Sequence, residues 1–517
     1  MSILTVEKIN HGFGDRAIFE DVSFRLLKGE HVGLIGANGE GKSTFLNLIT
    51  SKMLPDEGKV IWSSKVKVGY LDQHTVLGKG ITIRDAMRKA FDDLVEAEAT
   101  MLSMYEKMAD VTEEEMNEML EEIGVIQDTL DHHDYYSLDV KIEEVAQALG
   151  LKDIGLERDV EELSGGQRSK VLLGKLLLEK PDILLLDEPT NYLDEEHITW
   201  LANYLKQYEN AFILISHDIP FLNDVVNLIY HIEQRRLTRY VGNYDEFMRV
   251  YEMNKRQLEA AYERQQMEIN KLEDFVARNK ARVATRGMAA SRQKKLDKMD
   301  RIELMAEKPK PEFRFQEARS SSRVVAEAKG LVIGYETPLS RPLDFVVEKG
   351  QKIALYGANG LGKSTLLKSM MGLIEPLSGQ VRLGDHVELG YFEQEANMKD
   401  KTCIDEIWDT FPQYSQYEVR SALAKCGLTT QQLESKLFVL SGGEQAKVRL
   451  CKLQNQASNI LILDEPTNHL DVDAKEALKK ALREYHGTIL LVCHEPEFYR
   501  DVCDVIWNCE DWATKIA

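Results

Sequence analysis

Two glycine-rich segments of the chain each end in lysine and serine, a combination suited to binding phosphate groups. GANGEGKST begins at Gly36 and GANGLGKST begins at Gly357. Both fit the pattern G-x-x-x-x-G-K-[ST], in which backbone N–H groups at a helix start surround the phosphates, the lysine binds the β- and γ-phosphates and the serine binds Mg²⁺. The predicted phosphate-binding residues are Gly36, Asn38, Gly39, Gly41, Lys42, Ser43, Thr44, Gly357, Asn359, Gly360, Gly362, Lys363, Ser364 and Thr365.

An Asp-Glu pair follows an apolar run in each half of the chain, after Ile183–Leu186 and after Ile460–Leu463. The aspartate at such a strand end can join the Mg²⁺ shell, and the glutamate can orient or deprotonate the attacking water. A glutamine after another strand can bridge Mg²⁺ and water, and a histidine after a third can hold the γ-phosphate. The predicted metal ligands are Ser43, Gln73, Asp187, Ser364, Gln394 and Asp464, and the predicted catalytic residues are Glu188, Glu465, His217 and His494.

These motifs recur at the same spacing, which indicates one fold used twice. Each half also carries an LSGG segment, with its serine at Ser164 in the first copy and Ser441 in the second. The interval from this serine to the acidic strand end is identical in the two copies, and so is the interval from the glutamate to the histidine. The repeat predicts an α/β chain with two phosphate-loop domains in tandem.

The LSGG segment offers a second anion site, because a serine hydroxyl and glycine amides lie at a helix N-terminus. Each half already has a phosphate loop, so we expect this segment to serve the nucleotide of the other half. The residues concerned are Ser164, Gly165, Gly166, Ser441, Gly442 and Gly443.

With these motifs in this order, both halves resemble ATP-binding cassettes over most of their length. The resemblance implies ATP hydrolysis with ATP and Mg²⁺ as cofactors, and a head-to-tail sandwich in which each LSGG segment completes the other cassette's site. It also implies that Phe13 and Tyr335, each after a glycine, stack on adenine; core packing is the alternative for both. Cys493 and Glu495 flank the second histidine where serine and aspartate flank the first, but both glutamates and both histidines remain, so we expect two competent sites whose rates can differ.

The first cassette contains an insertion between its glutamine and its LSGG segment. Its composition predicts a helical hairpin over Phe91–Tyr136 with a turn near Asp110–Thr112. This stretch, called the acidic arm below, holds 15 Asp and Glu residues against one lysine, Lys107. A solvated spacer and a contact arm are both open, and a contact arm is favoured because the shared core does not require the insertion.

A second helical segment joins the cassettes, and the predicted division is 1–250 for the first cassette, 251–310 for the linker and 311–517 for the second. A helix from about Asp245 to Ala284 would reach about 60 Å. Gly287 is the natural break before a shorter helix. The far end of the linker, Phe275–Lys298, is basic. Its one acidic residue is Asp297, and its basic residues are Arg278, Lys280, Arg282, Arg286, Arg292, Lys294, Lys295 and Lys298.

Net charge, hydropathy and cysteine content limit the partners and the cellular compartment that the sequence is compatible with. The net charge of −21 over 517 residues opposes general polyanion binding, so nucleic-acid contact requires a local patch. The apolar runs are too short to span a membrane, the N-terminus lacks signal-peptide features, and the six cysteines show no CxxC spacing. We expect a cytoplasmic monomer without a membrane span, in which the cassettes pair within the chain.

Three partners are compatible with such an ATPase: a membrane permease, as for tandem importer subunits; DNA, as for repair ATPases; and the ribosome. Repair ATPases insert large coiled coils or zinc modules inside a cassette, which this sequence lacks, so DNA is disfavoured. Importer subunits lack a long basic helix pair, so a permease is disfavoured as well. The tandem cassettes, the acidic arm, YVGNYDEF at Tyr240–Phe247 and the basic linker end resemble the ABC-F translation factors. That resemblance implies ribosomal RNA, P-site tRNA and ribosomal proteins as partners, with the linker hairpin in the exit site and its tip near the peptidyl-transferase centre. General translation factors and antibiotic-resistance proteins both occur in this family, and the sequence leaves that choice open.

Overall fold

The structure is a computed structural model that describes residues 2–14, 16–71, 78, 80–108, 112–132, 134–191, 193–279, 286–301, 310–393, 400–468 and 470–514. The statements below concern these ranges. Gln73 and Gln394, two of the predicted metal ligands, lie outside them.

The first cassette contains an antiparallel sheet and a larger, mainly parallel sheet. Its strands are β1 (Ser2–Phe13), β2 (Arg16–Leu27), β3 (His31–Ile35), β4 (Glu57–Trp62), β5 (Val68–Leu71), β6 (Ile183–Asp187), β7 (Ala211–Ile215), β8 (Leu228–Glu233) and β9 (Arg236–Val241). Its helices are α1 (Lys42–Ile49), α2 (Ile83–Arg88), α3 (Asp92–Lys107), α4 (Glu113–His132), α5 (Leu138–Ala148), α6 (Gly165–Glu179), α7 (Glu195–Lys206) and α8 (Ile219–Val225). The small sheet has the order β2-β1-β4, and the large one has the order β5-β6-β7-β3-β8-β9.

The central strands of the large sheet are apolar along their whole length because both faces of the sheet are covered. Every residue of β7 is buried, as are the first four of β6. Strands β6, β7 and β3 are parallel neighbours, so their carboxyl ends meet at one edge of the sheet. The phosphate loop follows β3, Asp187 ends β6 and His217 follows β7, which places three predicted site elements at that edge.

The acidic arm is a pair of packed helices, α3 and α4, as predicted. Met101, Ile123 and Leu130 are buried between them, and the Tyr135 hydroxyl donates to a Glu98 carboxylate oxygen at 2.6 Å. The predicted turn lies partly outside the described residues, at 109–111. The arm therefore has a small apolar core of its own beneath an acidic surface.

The linker begins with α9 (Tyr244–Asn279), a 36-residue helix about 54 Å long at about 1.5 Å per residue. The second linker helix, α10 (Arg286–Asp297), packs back against it, burying Ile269 and Leu296. The placement of the helix break at Gly287 is wrong, because Gly287 lies in the first turn of α10. Glycine is tolerated there because the first-turn N–H groups have no intrahelical partner. Residues 280–285, which include the predicted helix end, lie outside the description.

The second cassette repeats the plan of the first. Its strands are β10 (Val324–Val332), β11 (Leu343–Glu348), β12 (Lys352–Tyr356), β13 (Ser378–Leu383), β14 (Leu389–Phe392), β15 (Ile460–Asp464), β16 (Thr488–Val492) and β17 (Val505–Asn508). Its helices are α11 (Lys363–Met370), α12 (Cys403–Thr410), α13 (Gln416–Lys425), α14 (Thr430–Glu434), α15 (Gly442–Asn455), α16 (Val472–Glu484) and α17 (Pro496–Val502). The sheets have the orders β11-β10-β13 and β14-β15-β16-β12-β17. The predicted fold class of two α/β cassettes in tandem is confirmed.

The stretch before β10 is attached to the second cassette. Phe313 and Phe315 are buried in its core, and the Ala318 N–H donates to the Ser458 carbonyl at 2.9 Å. The linker helix α9, in turn, begins seven residues before the predicted boundary at 251 and packs on the first cassette at its base. The exact division into three regions stays a prediction.

Two bulk expectations can be compared with the fold. Among the described helices, none combines the length and the hydropathy needed to cross a bilayer. All six cysteines are free and buried, and all lie in the second cassette.

Candidate active sites

Each phosphate loop holds its lysine at the start of a helix. The Lys42 ammonium donates to the carbonyl of Gly36 at 2.8 Å, and the Lys363 ammonium donates to that of Gly357 at 2.6 Å. Gly41 has φ of +99°, and a Cβ there would lie 2.5 Å from the Ile18 side chain, so both backbone and space require glycine. Burial lowers the pKa of both lysines, and the nearby acidic side chains oppose this effect.

A serine and an aspartate meet beside each loop. The Ser43 hydroxyl donates to Asp187 Oδ2 at 2.8 Å, and the Ser364 hydroxyl donates to Asp464 Oδ1 at 3.0 Å. Burial raises the pKa of Asp464 to about 6. Hard oxygen donors converging from two elements are what Mg²⁺ requires, so these residues fit the ion. The described parts of β5 and β14 end at Leu71 and Phe392, shortly before the two predicted glutamine ligands.

The glutamates that follow the strand ends have strained backbones. Glu188 has φ of 52° and Glu465 has φ of 49°, in the left-handed region that side chains other than glycine rarely adopt. The Glu188 N–H donates to the Ile215 carbonyl at 2.9 Å, and the Glu465 N–H donates to the Val492 carbonyl at 3.0 Å. The neighbouring strand therefore fixes the turn, and strain maintained in this way is typical of functional sites.

Each predicted histidine lies next to its glutamate. His217 Nε2 is 3.5 Å from Glu188 Oε1 and 3.1 Å from Asn38 Oδ1, while His494 Nε2 is 3.3 Å from Glu465 Oε1. The structure thus brings the glutamate, the histidine and the phosphate loop together in the first cassette, and the glutamate and histidine together in the second.

The two glutamates differ in their electrostatic environment. Burial raises the pKa of Glu188 to about 8, with a further contribution from Asp187. Burial also acts to raise the pKa of Glu465, but His494, Lys363 and Asn468 outweigh it and bring that pKa below its ordinary value. Asn468 contributes by donating to Glu465 Oε2 at 2.5 Å. The two candidate sites are therefore similar in geometry and unequal in charge balance.

The serines of the LSGG segments cap helices. Ser164 Oγ accepts the Gln167 N–H at 3.3 Å, and Gln167 Oε1 accepts the Ser164 N–H at 3.0 Å. Ser441 and Glu444 form the same reciprocal pair at the start of α15. A serine hydroxyl can accept such a bond and still donate its own hydrogen to a phosphate. Gly165, Gly166, Gly442 and Gly443 lie in the first turns of these helices, where backbone N–H groups have no intrahelical partner.

The two predicted adenine platforms are exposed. Phe13 is 50% exposed at the end of β1, with the edge of the His11 ring 5.2 Å away between centroids, and Tyr335 is 64% exposed. Core packing, the alternative for these residues, is therefore wrong. Both rings are accessible to a base.

Two aspartates that the sequence analysis did not select lie at the boundary between the cassettes. Asp471 of the second cassette is close enough to Lys42 and His217 of the first for its charge to act on both. Asp194 acts in the same way on Lys363. Each aspartate ends an N-x-L-D segment that recurs at the same distance after the glutamate in both halves, and that repetition could have identified them.

These electrostatic interactions run between the cassettes as a head-to-tail arrangement requires, because each aspartate acts on the lysine of the other cassette's phosphate loop. Two complete sets of phosphate loop, oxygen ligands and glutamate–histidine pair in one chain define a tandem P-loop nucleotide hydrolase.

Comparisons with known proteins agree with that class. A family profile described as ABC transporter matches residues 19–191 and 340–468, and a second profile with the same description matches 230–315, across the linker. The uncharacterized ABC transporter ATP-binding protein YfmM of Bacillus subtilis is 67% identical over the full length of both chains. ABC transporter F family member 2 of Arabidopsis thaliana is 36% identical over 98% of this chain and 75% of its own length.

A solved structure of RNase-L inhibitor covers 97% of this chain and 87% of its own with a TM-score of 0.56 at 19% identity, a likeness of fold. The chain belongs to the ABC transporter family, as a tandem ATPase of the F type. It hydrolyses ATP with Mg²⁺ as its ion.

Proposed function

We propose that this ATPase acts on the ribosome in the cytoplasm, where ATP-driven closure of its cassettes places the linker near tRNA and the peptidyl-transferase centre. ATP binding closes the cassettes and fixes the linker in an RNA-binding pose, and hydrolysis releases it. The observation that carries the proposal is the linker itself, a long helix pair with an excess of cations in its outer part, placed between the two cassettes.

The shape of the linker supports a role as a probe that reaches away from the cassettes. Helices α9 and α10 are held together by an ion pair between Lys295 and Glu268 at 2.6 Å and by the Arg292 guanidinium, 3.5 Å above the Phe275 ring. Lys294 of α10 and Lys298, which directly follows that helix, are exposed. A stiff hairpin with exposed cations along its returning segment suits contact with RNA phosphates.

The base of the linker provides a route from the cassettes to the hairpin. Phe247 of α9 is buried among aromatic rings at the linker base, and one of them, Tyr251 of the same helix, donates its hydroxyl to Glu233 of the first cassette at 2.7 Å. Burial raises the pKa of Tyr244 and Tyr251, and the charge of Asp473 from the second cassette adds to the shift in both. The linker base therefore contacts one cassette and lies within electrostatic range of the other, so a change in cassette spacing acts on it directly.

The site residues carry the roles predicted above. We propose that Lys42, Asp187, Glu188 and His217 share one ATP with Ser441 and Gly443. Lys363, Asp464, Glu465 and His494 then share the other with Ser164 and Gly166. In this scheme Phe13 and Tyr335 stack on adenine, Gln73 and Gln394 complete the Mg²⁺ shells, and the acidic arm meets a basic ribosomal protein.

The deciding experiment uses the double variant E188Q/E465Q, which binds ATP and does not hydrolyse it. With ATP present, it should sediment with ribosomes in a sucrose gradient and block translation. A protein that stays free of ribosomes refutes the assignment, and copurification with a membrane permease would favour the importer alternative.

The role of the linker is tested in the same background. K294E/K298E should weaken ribosome binding and reduce its dependence on salt, since each lost phosphate contact lowers the salt slope by about one. K59E/K65E makes the same charge change at exposed lysines on or next to the small sheet of the first cassette and serves as the control. Equal weakening by both variants would contradict a specific contact by the linker.

A further inference from the structure

Two carboxylates at equivalent positions of the repeat lie within electrostatic range of each other across the cassette boundary. Asp218 follows His217 in the first cassette, and Glu495 follows His494 in the second. Burial raises the pKa of Asp218, and the charges of Glu495 and Glu497 raise it further. Like charges in such a position oppose the approach of the cassettes, because neither carboxylate is fully solvated.

A lysine of the second cassette offsets part of this repulsion. Lys475 extends from α16, and its ammonium lies 2.8 Å from Glu495 Oε1. Its side chain is only 14% exposed, so the charge requires a partner. The charge of Lys475 also acts on Asp218 and Glu188 of the first cassette. The ammonium therefore serves carboxylates from both cassettes.

The repeat supplies no counterpart of this cation in the first cassette. The residue equivalent to Lys475 there is Ile198, which packs against that cassette's hydrophobic core. At these two equivalent positions the cation is therefore on one side only, and its charge reaches Glu188 of the first nucleotide site.

We infer that Lys475 is a one-sided latch between the cassettes: paired with Glu495, its ammonium neutralises Asp218 across the boundary and stabilises closure around the first nucleotide site. This inference rests on the proposed closure on ATP. It assigns to Lys475 a positioning role that helps to keep one of the two sites closed.

The test measures the release of labelled ATP from E188Q/E465Q after dilution into unlabelled ATP. Adding K475M should accelerate release from one of the two sites by about tenfold, the scale of a partly buried ion pair, and K475R should keep release slow. Lys479 lies one turn further along α16 and pairs with Glu476 and Asp501 of its own cassette. K479M is therefore the control for loss of a lysine from this helix, and it should release ATP at the parent rate.

A charge-removal rescue separates the latch from a packing role. Asp218 caps α8 by accepting the Phe221 N–H at 3.0 Å, and asparagine caps a helix equally well. K475M/D218N should therefore restore slow release, because the repulsion across the boundary is gone.

Each outcome has a defined meaning. If E188Q/E465Q itself releases ATP rapidly, closure fails and the proposed function fails with it. If it retains ATP and K475M leaves the rate unchanged, the latch alone is refuted. Fast release from K475M that D218N does not slow would also overturn the latch, since Lys475 would then act through packing.

Discussion

The sharpest prediction concerns the serine of the second LSGG segment and the site that it serves. In a head-to-tail sandwich, Ser441 of the second cassette completes the site that holds Lys42 and Glu188. Each site can be studied alone, because E465Q leaves the first site active and E188Q leaves the second. We expect S441A to reduce hydrolysis in the E465Q background and to spare it in the E188Q background.

Two separate effects of S441A can be sized from the structure. The hydroxyl caps α15, and losing an N-cap costs about 1 kcal/mol of stability in either background. A hydrogen bond to a charged phosphate is worth about 1.5–3 kcal/mol, which corresponds to roughly 10- to 150-fold in kcat/KM at the site served. The first effect lowers the unfolding midpoint equally in both backgrounds, and the second appears in only one.

The assay is steady-state ATP hydrolysis of four variants: E465Q and E188Q, each with and without S441A. Thermal unfolding of the same variants is measured in parallel. S441G supplies the control, because glycine caps a helix almost as well as serine does and has no side-chain donor. It should restore the unfolding midpoint and leave the first site impaired. Loss of activity in the E188Q background, with the E465Q background unaffected, would show that Ser441 serves its own cassette and would refute the head-to-tail pairing.

Three further predictions concern stability. Burial raises the pKa of Glu188 to about 8, so the folded protein holds a proton that the unfolded chain releases. The stability of the folded protein therefore falls as pH rises from about 5 to about 8. E188Q should raise the Tm of the nucleotide-free protein more at about pH 8.5 than at about pH 5. F247A removes a buried ring from the linker base and should cost about 3–5 kcal/mol in denaturant unfolding, whereas a cost below about 1 kcal/mol would contradict the packing described. M101A should lower hydrogen-exchange protection in the acidic arm and leave ATP hydrolysis unchanged, and a fall in hydrolysis would show that the arm is coupled to the sites.

The parts of the fold that the sequence predicts well are those in which local chemistry and the repeat agree. A strand, a glycine-rich loop and a helix were expected around Lys42 and Lys363, and the structure places all of them there. The apolar runs before Asp187 and Asp464 are buried strands because both sheet faces are covered. The helices of the acidic arm were predicted from a run of helix-forming residues without proline. Local composition was sufficient there because the two helices of the hairpin pack mainly against each other.

What the sequence could not supply depends on contacts between distant segments. The left-handed backbone of Glu188 follows from its bond to Ile215 in the neighbouring strand, which no local pattern signals. The linker break was placed at Gly287 because glycine is a poor helix former, yet a first-turn position removes most of that cost. The exposure of Phe13 and Tyr335 is likewise a property of the packed surface around them.

Fusion of the cassettes in one chain makes the unequal boundary possible. In a symmetric dimer of identical cassettes, a lysine at the position of Lys475 would appear twice, and both boundaries would gain the same cation. In a tandem chain each copy can change alone, so Ile198 packs against a hydrophobic core while Lys475 pairs with Glu495. The pKa values of Glu188 and Glu465 also differ, although each copy has a histidine, a lysine and an asparagine at equivalent positions, so that difference comes from how these side chains are placed. A boundary held on one side can open on the other first, which would give a tandem ATPase a defined order of events that a symmetric dimer lacks.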